Sequence, residues 1–424
     1  MTTQVFKKSV LDAAVKAIPD DRLTCLRREA ADRFASLGFP SIGQEDWRYT
    51  NLSDVEAISI EWLKRKPEYK SESGVADITD QVLSAIDAHW LVVRDGVPDD
   101  TLPNIDGVDI ERLSDTDCSA LSADDALSAF NVALLQDGVK IRVGRGTELD
   151  RPFAILNIDS SGHRVAQSRV VIELAANSRL ELIECALSSD SGVQFTNSVV
   201  DVDLKNAACL AHARVQDRHP GHSGVYRLQA SLARDASIQH SCFDFGGALS
   251  RNDVVTNIKG TGAAVGLNGL YLAGGEQHID NHTSIVHGVG PATSDEEYRG
   301  IVTGRAHCVF NGKVIVAEGA DGTNSSQSNH NLLLSDRAEI DTKPELEIYA
   351  DDVKCAHGAT VGQLDRSALF YLQSRGLDHD QARQILTRAF AAGMLSSLSV
   401  PACHDFVNAR LDRRLAKLVG DLDD

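Results

Sequence analysis

The chain has 424 residues, 42% of them hydrophobic and 24% charged, as expected of a globular protein with two or three structural units. A formal net charge of −19 repels phosphate backbones and anionic lipid, which argues against nucleic acid or a membrane surface as partner. No run of roughly eighteen apolar residues offers a membrane span.

The run Met1–Val10 has no hydrophobic signal region, so a cytoplasmic location is expected. Eight cysteines, at 25, 118, 185, 209, 242, 308, 355 and 403, include no C-x-x-C pair. In a reducing compartment they read as thiols, and a zinc site from sequence-local ligands is not expected. Glycine is abundant (32, against 10 prolines) and aromatics are scarce (5%), which suits tightly turned strands around a narrow interior.

Residues 1–138 read as a mainly helical region. Asp20 and Asp21 can cap a helix with Leu23, Leu26, Ala30, Phe34 and Leu37 on one face, stopped by Gly38 and Pro40. His89 to Val93 reads as a strand, and Asp124 to Leu135 as a short helix before the turn Asp137-Gly138.

From Val139 to about residue 366 the texture is short alternating runs separated by Gly, Asn, Asp or Ser, such as Lys140–Val143, Val170–Leu174 and Arg179–Ile183. A weak repeat runs through them. A turn residue, a small residue and an alternating strand begin at Asn177, Asn206, Asp235 and Gly262, with offsets of 29, 29 and 27 residues. Less regular copies begin near Arg305 and Arg337. One such coil cannot bury its inward face alone, whereas stacked coils share a continuous core. The pattern therefore predicts a parallel β-solenoid. A β-sandwich also fits strands spaced by about ten residues, but it gives no reason for this period. Inward positions would be Leu180/Leu182, Cys209/Ala211, Ile238/His240 and Val265/Leu267, with His240 needing a partner or a place near the surface.

Residues 367–424 return to helix. Asp378 or Asp380 caps a run with Ala382, Ile385, Leu386, Ala389 and Phe390 on one face, ended by Gly393. A last helix aligns Val407, Leu411, Leu415 and Leu418. These faces can pack on the solenoid or receive a partner. The basic run Arg410 to Lys417 reads as a solvated face of that helix.

The chain has no phosphate-binding Gly-x4-Gly-Lys-Ser/Thr loop, no Gly-x-Ser-x-Gly elbow and no His-Glu-x-x-His helix. ATP hydrolysis by this chain is not expected, and an enzymatic role is disfavoured. The outstanding segment is Asp351 to Gly362. Cys355 and His357 stand two apart, so on a strand they share a face, where a thiolate and an imidazole can hold an iron or a sulfur species. Ala356, Gly358, Ala359 and Gly362 leave room for another chain. A buried cysteine beside a hydrogen-bonded histidine explains the same spacing. His278, His282 and His287 would meet at a metal only if the chain folded back on itself. Adjacent His307 and Cys308, and the set His212, His219 and His222, are equally explained as polar positions along a solenoid. Cys209, Cys242 and Cys308 read as small core residues.

The stretch Asp336 to Gly362, continuing through Leu369–Gly376 and Ala382–Ala391, resembles the C-terminal signature of the SufB/SufD family of the SUF iron–sulfur cluster assembly system. Gly38–Pro40 followed by Glu45–Leu52 resembles the SufD branch, whereas SufB chains are longer and start differently. The resemblance spans nearly the whole sequence. It implies a right-handed parallel β-helix flanked by helical N- and C-terminal regions. It also implies pairing with a SufB-like paralogue and docking of a SufC-like ABC-type ATPase on the helices from about Ser367 to Ala392. His357 matches a histidine implicated in nascent cluster formation at the SufB–SufD interface, and Cys355 stands where SufB has its key cysteine. No intrinsic cofactor is implied, only a transient iron or iron–sulfur cluster. The alternatives are a structural homodimer and a carbohydrate-active β-helix enzyme, the latter commonly secreted.

Overall fold

In the computed structural model, residues 8–65, 75–116, 121–160, 165–189 and 194–420 are described. Cys118 and residues 1–7 of the N-terminal run lie outside them. The N-terminal part comprises α1 (Lys8–Ala17), α2 (Thr24–Leu37), α3 (Ser53–Lys64), α4 (Ala76–Ala85), β1 (His89–Arg94), β2 (Val97–Pro98), β3 (Val108–Arg112) and α5 (Ala126–Leu134). Sixteen strands follow: β4 (Val139–Val143), β5 (Phe153–Asp159), β6 (Val165–Leu174), β7 (Arg179–Ser188), β8 (Gln194–Leu204), β9 (Cys209–Asp217), β10 (His222–Leu232), β11 (Ser237–Asp244), β12 (Leu249–Ile258), β13 (Ala264–Ala273), β14 (His278–His287), β15 (Thr293–Val302), β16 (His307–Val316), β17 (Asn324–Leu333), β18 (Glu339–Ile348) and β19 (Lys354–Gly362). The chain closes with α6 (Arg366–Ser374), α7 (His379–Ser396) and α8 (His404–Gly420).

Odd strands from β5 to β19 pair in parallel in one sheet, and even strands from β4 to β18 pair in parallel in a second. Each coil therefore contributes one strand to each sheet, and about seven coils stack into a β-solenoid, as the repeat predicted. Each side chain stands above its counterpart one coil earlier. One inward column of the nine-stranded sheet reads Val143, Leu174, Leu204, Leu232, Ile258, His287 and Val316. Such columns give the lumen a continuous apolar filling.

The repeat corrects one expectation. Arg179, Cys209, Ser237 and Ala264 are in register, so the true spacings are 30, 28 and 27 residues. The left-handed turn positions are Asn177, Ala207, Asp235 and Gly262, not Asn206. Because side chains alternate, this one-residue offset reverses the face. Leu210 and His212 point inward in that coil, while Cys209 and Ala211 are half-buried. Cys242 and Cys308 are core residues as expected.

Both outer faces are also covered. Helices α1, α2, α3 and α5 pack on the nine-stranded sheet through a cluster that includes Phe34, Phe130, Phe195 and Val225. Helices α7 and α8 pack on the ten-stranded sheet against Val215, Leu270 and Ile301. In α8, Val407, Leu411, Leu415 and Leu418 are buried together, as expected. Three details differ. Leu37 is largely exposed. Asp21 does not cap α2: its carboxylate accepts from Leu23 N and pairs with Arg27. Asp378 does cap α7, but the helix continues through Gly393 and buries Ala382, Ala391, Met394 and Leu395, leaving Ile385 exposed. A Cβ at Gly393 would lie 2.5 Å from Arg299 Nη1, so this glycine makes room for a guanidinium that donates to Phe390 O.

Ala207 holds φ at 55°, a conformation costing a non-glycine residue about 1–2 kcal/mol. Ala207→Gly is expected to raise unfolding stability by up to about 1 kcal/mol after glycine's entropic cost. Chemical denaturation measures it, and a lower midpoint would show that residue 207 does not set this turn.

Candidate functional site at the open end of the solenoid

The last strands, β18 and β19, each have a neighbour on one side only among the described residues. Among the described residues no helix packs over them as the helices cover earlier coils. Most of β19 is exposed, and β18 is half-buried along most of its length. Ile348, Tyr349 and Val361 stand exposed beside this edge.

Cys355 and His357 lie on β19, and alternation places both on the inner face. The column of Cys355 reads Leu180, Leu210, Ile238, Val265, Ser294, Ser325 and Cys355. That of His357 reads Leu182, His212, His240, Leu267, Glu296, Gln327 and His357. The first column turns polar over the last coils, and the second, which already carries His212 and His240, is polar again from Glu296 onward. The structure thus brings the two predicted residues together at the mouth of the lumen. His357 is exposed, and Cys355 is half-buried against the end of the core. Burial pushes the Cys355 thiol up from its ordinary value, against the lowering effect of the Ser325 backbone. Becoming a thiolate ligand therefore requires a positive partner such as a metal ion.

Beneath this pair lies a polar floor that the sequence did not announce. Gln327 Nε2 donates to Glu296 Oε2 at 2.7 Å, and both residues are buried. Burial pushes the Glu296 carboxyl up to about 7, although the Thr283 hydroxyl and the Gln327 amide favour its charged form. Alongside, His287 Nε2 meets Ser294 Oγ at 2.9 Å, and Ser294 donates to Ser325 Oγ at 2.8 Å, directly below Cys355 in the ladder.

The other histidines are placed as follows. His240 finds its partner deep in the lumen: its Nδ1 is 3.1 Å from His212 Nδ1, and His212 Nε2 is 3.0 Å from Glu184 Oε2. Tyr226 donates to the same carboxylate at 2.8 Å, beneath the Arg214 guanidinium. Burial drives His240 well below its ordinary pKa. His222 lies 3.3 Å from Asp159, and His219 is half-buried. His278 and His282 lie on the outer face of β14 while His287 points into the lumen, so these three do not converge. Cys308 is in the core and His307 is on the outer face.

The Glu45–Leu52 segment braces the N-terminal region against the nine-stranded sheet. Arg251 stacks 4.0 Å over the Trp47 ring, donates to Asp46 O at 2.8 Å and pairs with Asp280 at 2.6 Å. Thr50 donates to the same Asp280 and meets His278 Nε2 at 2.8 Å. At the other end, α6 has no buried residue, and Phe370 (72% exposed) and Tyr371 (56%) face solvent. No helix among the described residues is long and apolar enough to cross a membrane.

Comparison with known proteins decides the family. The family model for the SufBD core domain of SUF system FeS cluster assembly matches residues 156–390. The chain belongs to the SufBD family. It is 31% identical to the iron–sulfur cluster assembly protein SufD of Escherichia coli K12 over 388 residues, covering 89% of this chain and 90% of that one. An iron–sulfur cluster assembly SufBD family protein of Synechocystis is 28% identical over 410 residues, with 91% and 90% covered. SufD of Bacillus subtilis is 26% identical over 294 residues, with 68% and 67% covered. Membership supports a role in iron–sulfur cluster assembly by the SUF system.

Glu296 gives this end a pH signature. A carboxyl whose folded pKa is raised contributes its full stability below the unfolded value near 4.5 and loses it as pH rises through about 7. Relative to wild type, Glu296→Gln is expected to gain stability over that interval, by at most about 3 kcal/mol at pH 8. Urea melts of both proteins at pH 5 and 8 measure the difference, and a pH-independent gap would show that Glu296 does not titrate there.

Proposed function

We propose that this chain is a non-enzymatic scaffold subunit of a SufBCD-type complex, working in the cytoplasm, whose open solenoid end is completed by a SufB-like paralogue. One observation carries this reading: Cys355 and His357 sit side by side on the inner face of an uncovered end strand. Unpaired donors and acceptors along β18 and β19 are a liability unless another chain covers them. A partner strand added there would satisfy them and extend both sheets. Iron or a nascent cluster is then cargo at the seam. His357 and Cys355 supply one imidazole and one thiolate, fewer ligands than a cluster needs, so the paralogue completes the set. The polar floor of Gln327 and Glu296 lies one and two coils below, respectively, and faces the same lumen.

The C-terminal helices are the proposed docking place of a SufC-like ATPase. A helix whose aromatic side chains face solvent suits insertion into an apolar groove. Because α7 packs on the ten-stranded sheet, with Arg299 of β15 donating to Phe390 O at 2.8 Å, movement of the helices would be felt in the strands beside the open end. This route for the ATPase's work is part of the proposal.

Two experiments test the reading. His357→Ala, an exposed change expected to leave the melting temperature unaltered, should abolish most of the iron and sulfide acquired anaerobically by the reconstituted complex. Unchanged cluster yield in that variant would remove His357 from the site. Phe370→Asp should weaken ATPase binding by at least about 10-fold, the scale of an interface anchor, while leaving pairing with the paralogue intact. Titration calorimetry measures it, and unaltered affinity would move the docking surface elsewhere.

A further inference from the structure

The outer face of the nine-stranded sheet carries a second set of ligand atoms near the same end. His307 of β16 stands in register with Glu339 of β18, and Asp341 lies two residues further along β18. Cys308, in register with Ile340, faces the core, so alternation turns His307, Glu339 and Asp341 outward together. One ligand atom from each lies within 4.8 Å of the other two, and His307 Nε2 is 2.8 Å from Asp341 Oδ2. Other carboxylates on this face have strong cations: Asp280 has Arg251, Glu345 has Lys343 and Glu347 has Lys313. Among the described residues, no lysine or arginine pairs with Glu339 or Asp341. The imidazole is held on its far side by the His278 ring, 4.8 Å between centroids, which is itself fixed by Thr50.

We propose that His307, Glu339 and Asp341 form a binding site for one divalent first-row transition-metal ion, separate from Cys355 and His357. The donor set decides the class. One imidazole nitrogen with two carboxylate oxygens suits Fe(II), Mn(II), Co(II) or Zn(II), whereas Ca(II) and Mg(II) favour all-oxygen shells. Three protein ligands leave coordination positions open to water, so the ion is exchangeable. Its place in the fold gives it a consequence. The ligands come from two adjacent strands, and β18 is the last strand of its sheet. A bound ion cross-links that end strand to β16 and stabilises the edge left uncovered.

The test is anaerobic titration of the metal-free full-length chain with Co(II) alone, whose visible absorption reports ligation, followed by displacement with Fe(II). One equivalent is expected to bind. His307→Ala and, separately, Glu339→Gln should each weaken binding by at least roughly 10-fold, since even outer-sphere changes at metal sites reach that scale. Glu339 is exposed and makes no ion pair among the described residues, so Glu339→Gln leaves the metal-free fold intact. His357→Ala and Cys355→Ser should retain full affinity. The ion should raise the melting temperature of wild type and not that of His307→Ala, as a ligand selective for the folded state does. Absence of binding, equal affinity in wild type and Glu339→Gln, or loss only in His357→Ala would overturn the site. Binding without a melting shift would overturn its role as a strand cross-link.

Discussion

The structure depends on the parallel register of its coils. Once two sheets share a lumen, every inward residue stands on the residue one coil below, so chemistry is arranged in columns along the axis. A column of Leu and Ile is self-supporting, because each side chain buries its neighbour. A polar residue in such a column must find its partner in an adjacent coil, an adjacent column or the opposite sheet, since water is excluded. His212 and His240 meet that demand one coil apart, and Glu184 meets it with Tyr226 from the facing sheet.

That constraint explains why the lumen changes character toward its C-terminal end. The early coils are closed above and below and can be apolar. Among the described residues no strand lies above the last coil, so apolar side chains there would be left in solvent. Ser294 and Ser325 replace the aliphatic residues of the column that ends on Cys355, and Glu296 and Gln327 follow Leu267 in the column that ends on His357, which also holds the paired His212 and His240 deeper in the lumen. The polar floor is compatible with an open mouth and with closure by a partner, provided the partner brings matching groups. A fully apolar end would favour unspecific association instead.

Much of this was legible in the sequence, and the failures have physical causes. The Cys355–His357 spacing fixes a shared face because strand alternation is strict. The coil repeat was visible, but its register slipped by one where Ala207 adopts the left-handed conformation that Asn206 seemed better suited to supply. The partner of His240 was not legible because it lies 28 residues earlier and is adjacent only through the stacking. Gly393 looked like a helix stop, yet it is there for the guanidinium of Arg299, a long-range contact no local signal encodes. Likewise, Trp47 and Thr50 belong to a recognisable motif, but their contacts with Arg251 and Asp280 appear only when the segment is laid on the sheet.

The distribution of covers around the solenoid is itself informative. The N-terminal helices and their Trp47–Arg251–Asp280 brace close one outer face, and α7 and α8 close the other. The chain thus spends two whole regions protecting faces whose backbone groups are already paired within the sheets. It leaves bare the edges of β18 and β19, where backbone groups on one side of each strand lack partners among the described residues. Natural sheets usually blunt such edges with bulges, prolines or inward charges. Here β18 does carry Pro344 together with Lys343, Glu345 and Glu347, whereas β19 carries Gly358, Ala359 and Gly362 and no charged residue after Lys354. The two edges therefore differ in kind. β18 is guarded by charges that select what approaches, and β19 is small, uncharged and close to the Cys355–His357 pair. A partner guided by the charges of one edge and pairing along the other would arrive in a single orientation, which is what the proposed metal seam would require of it.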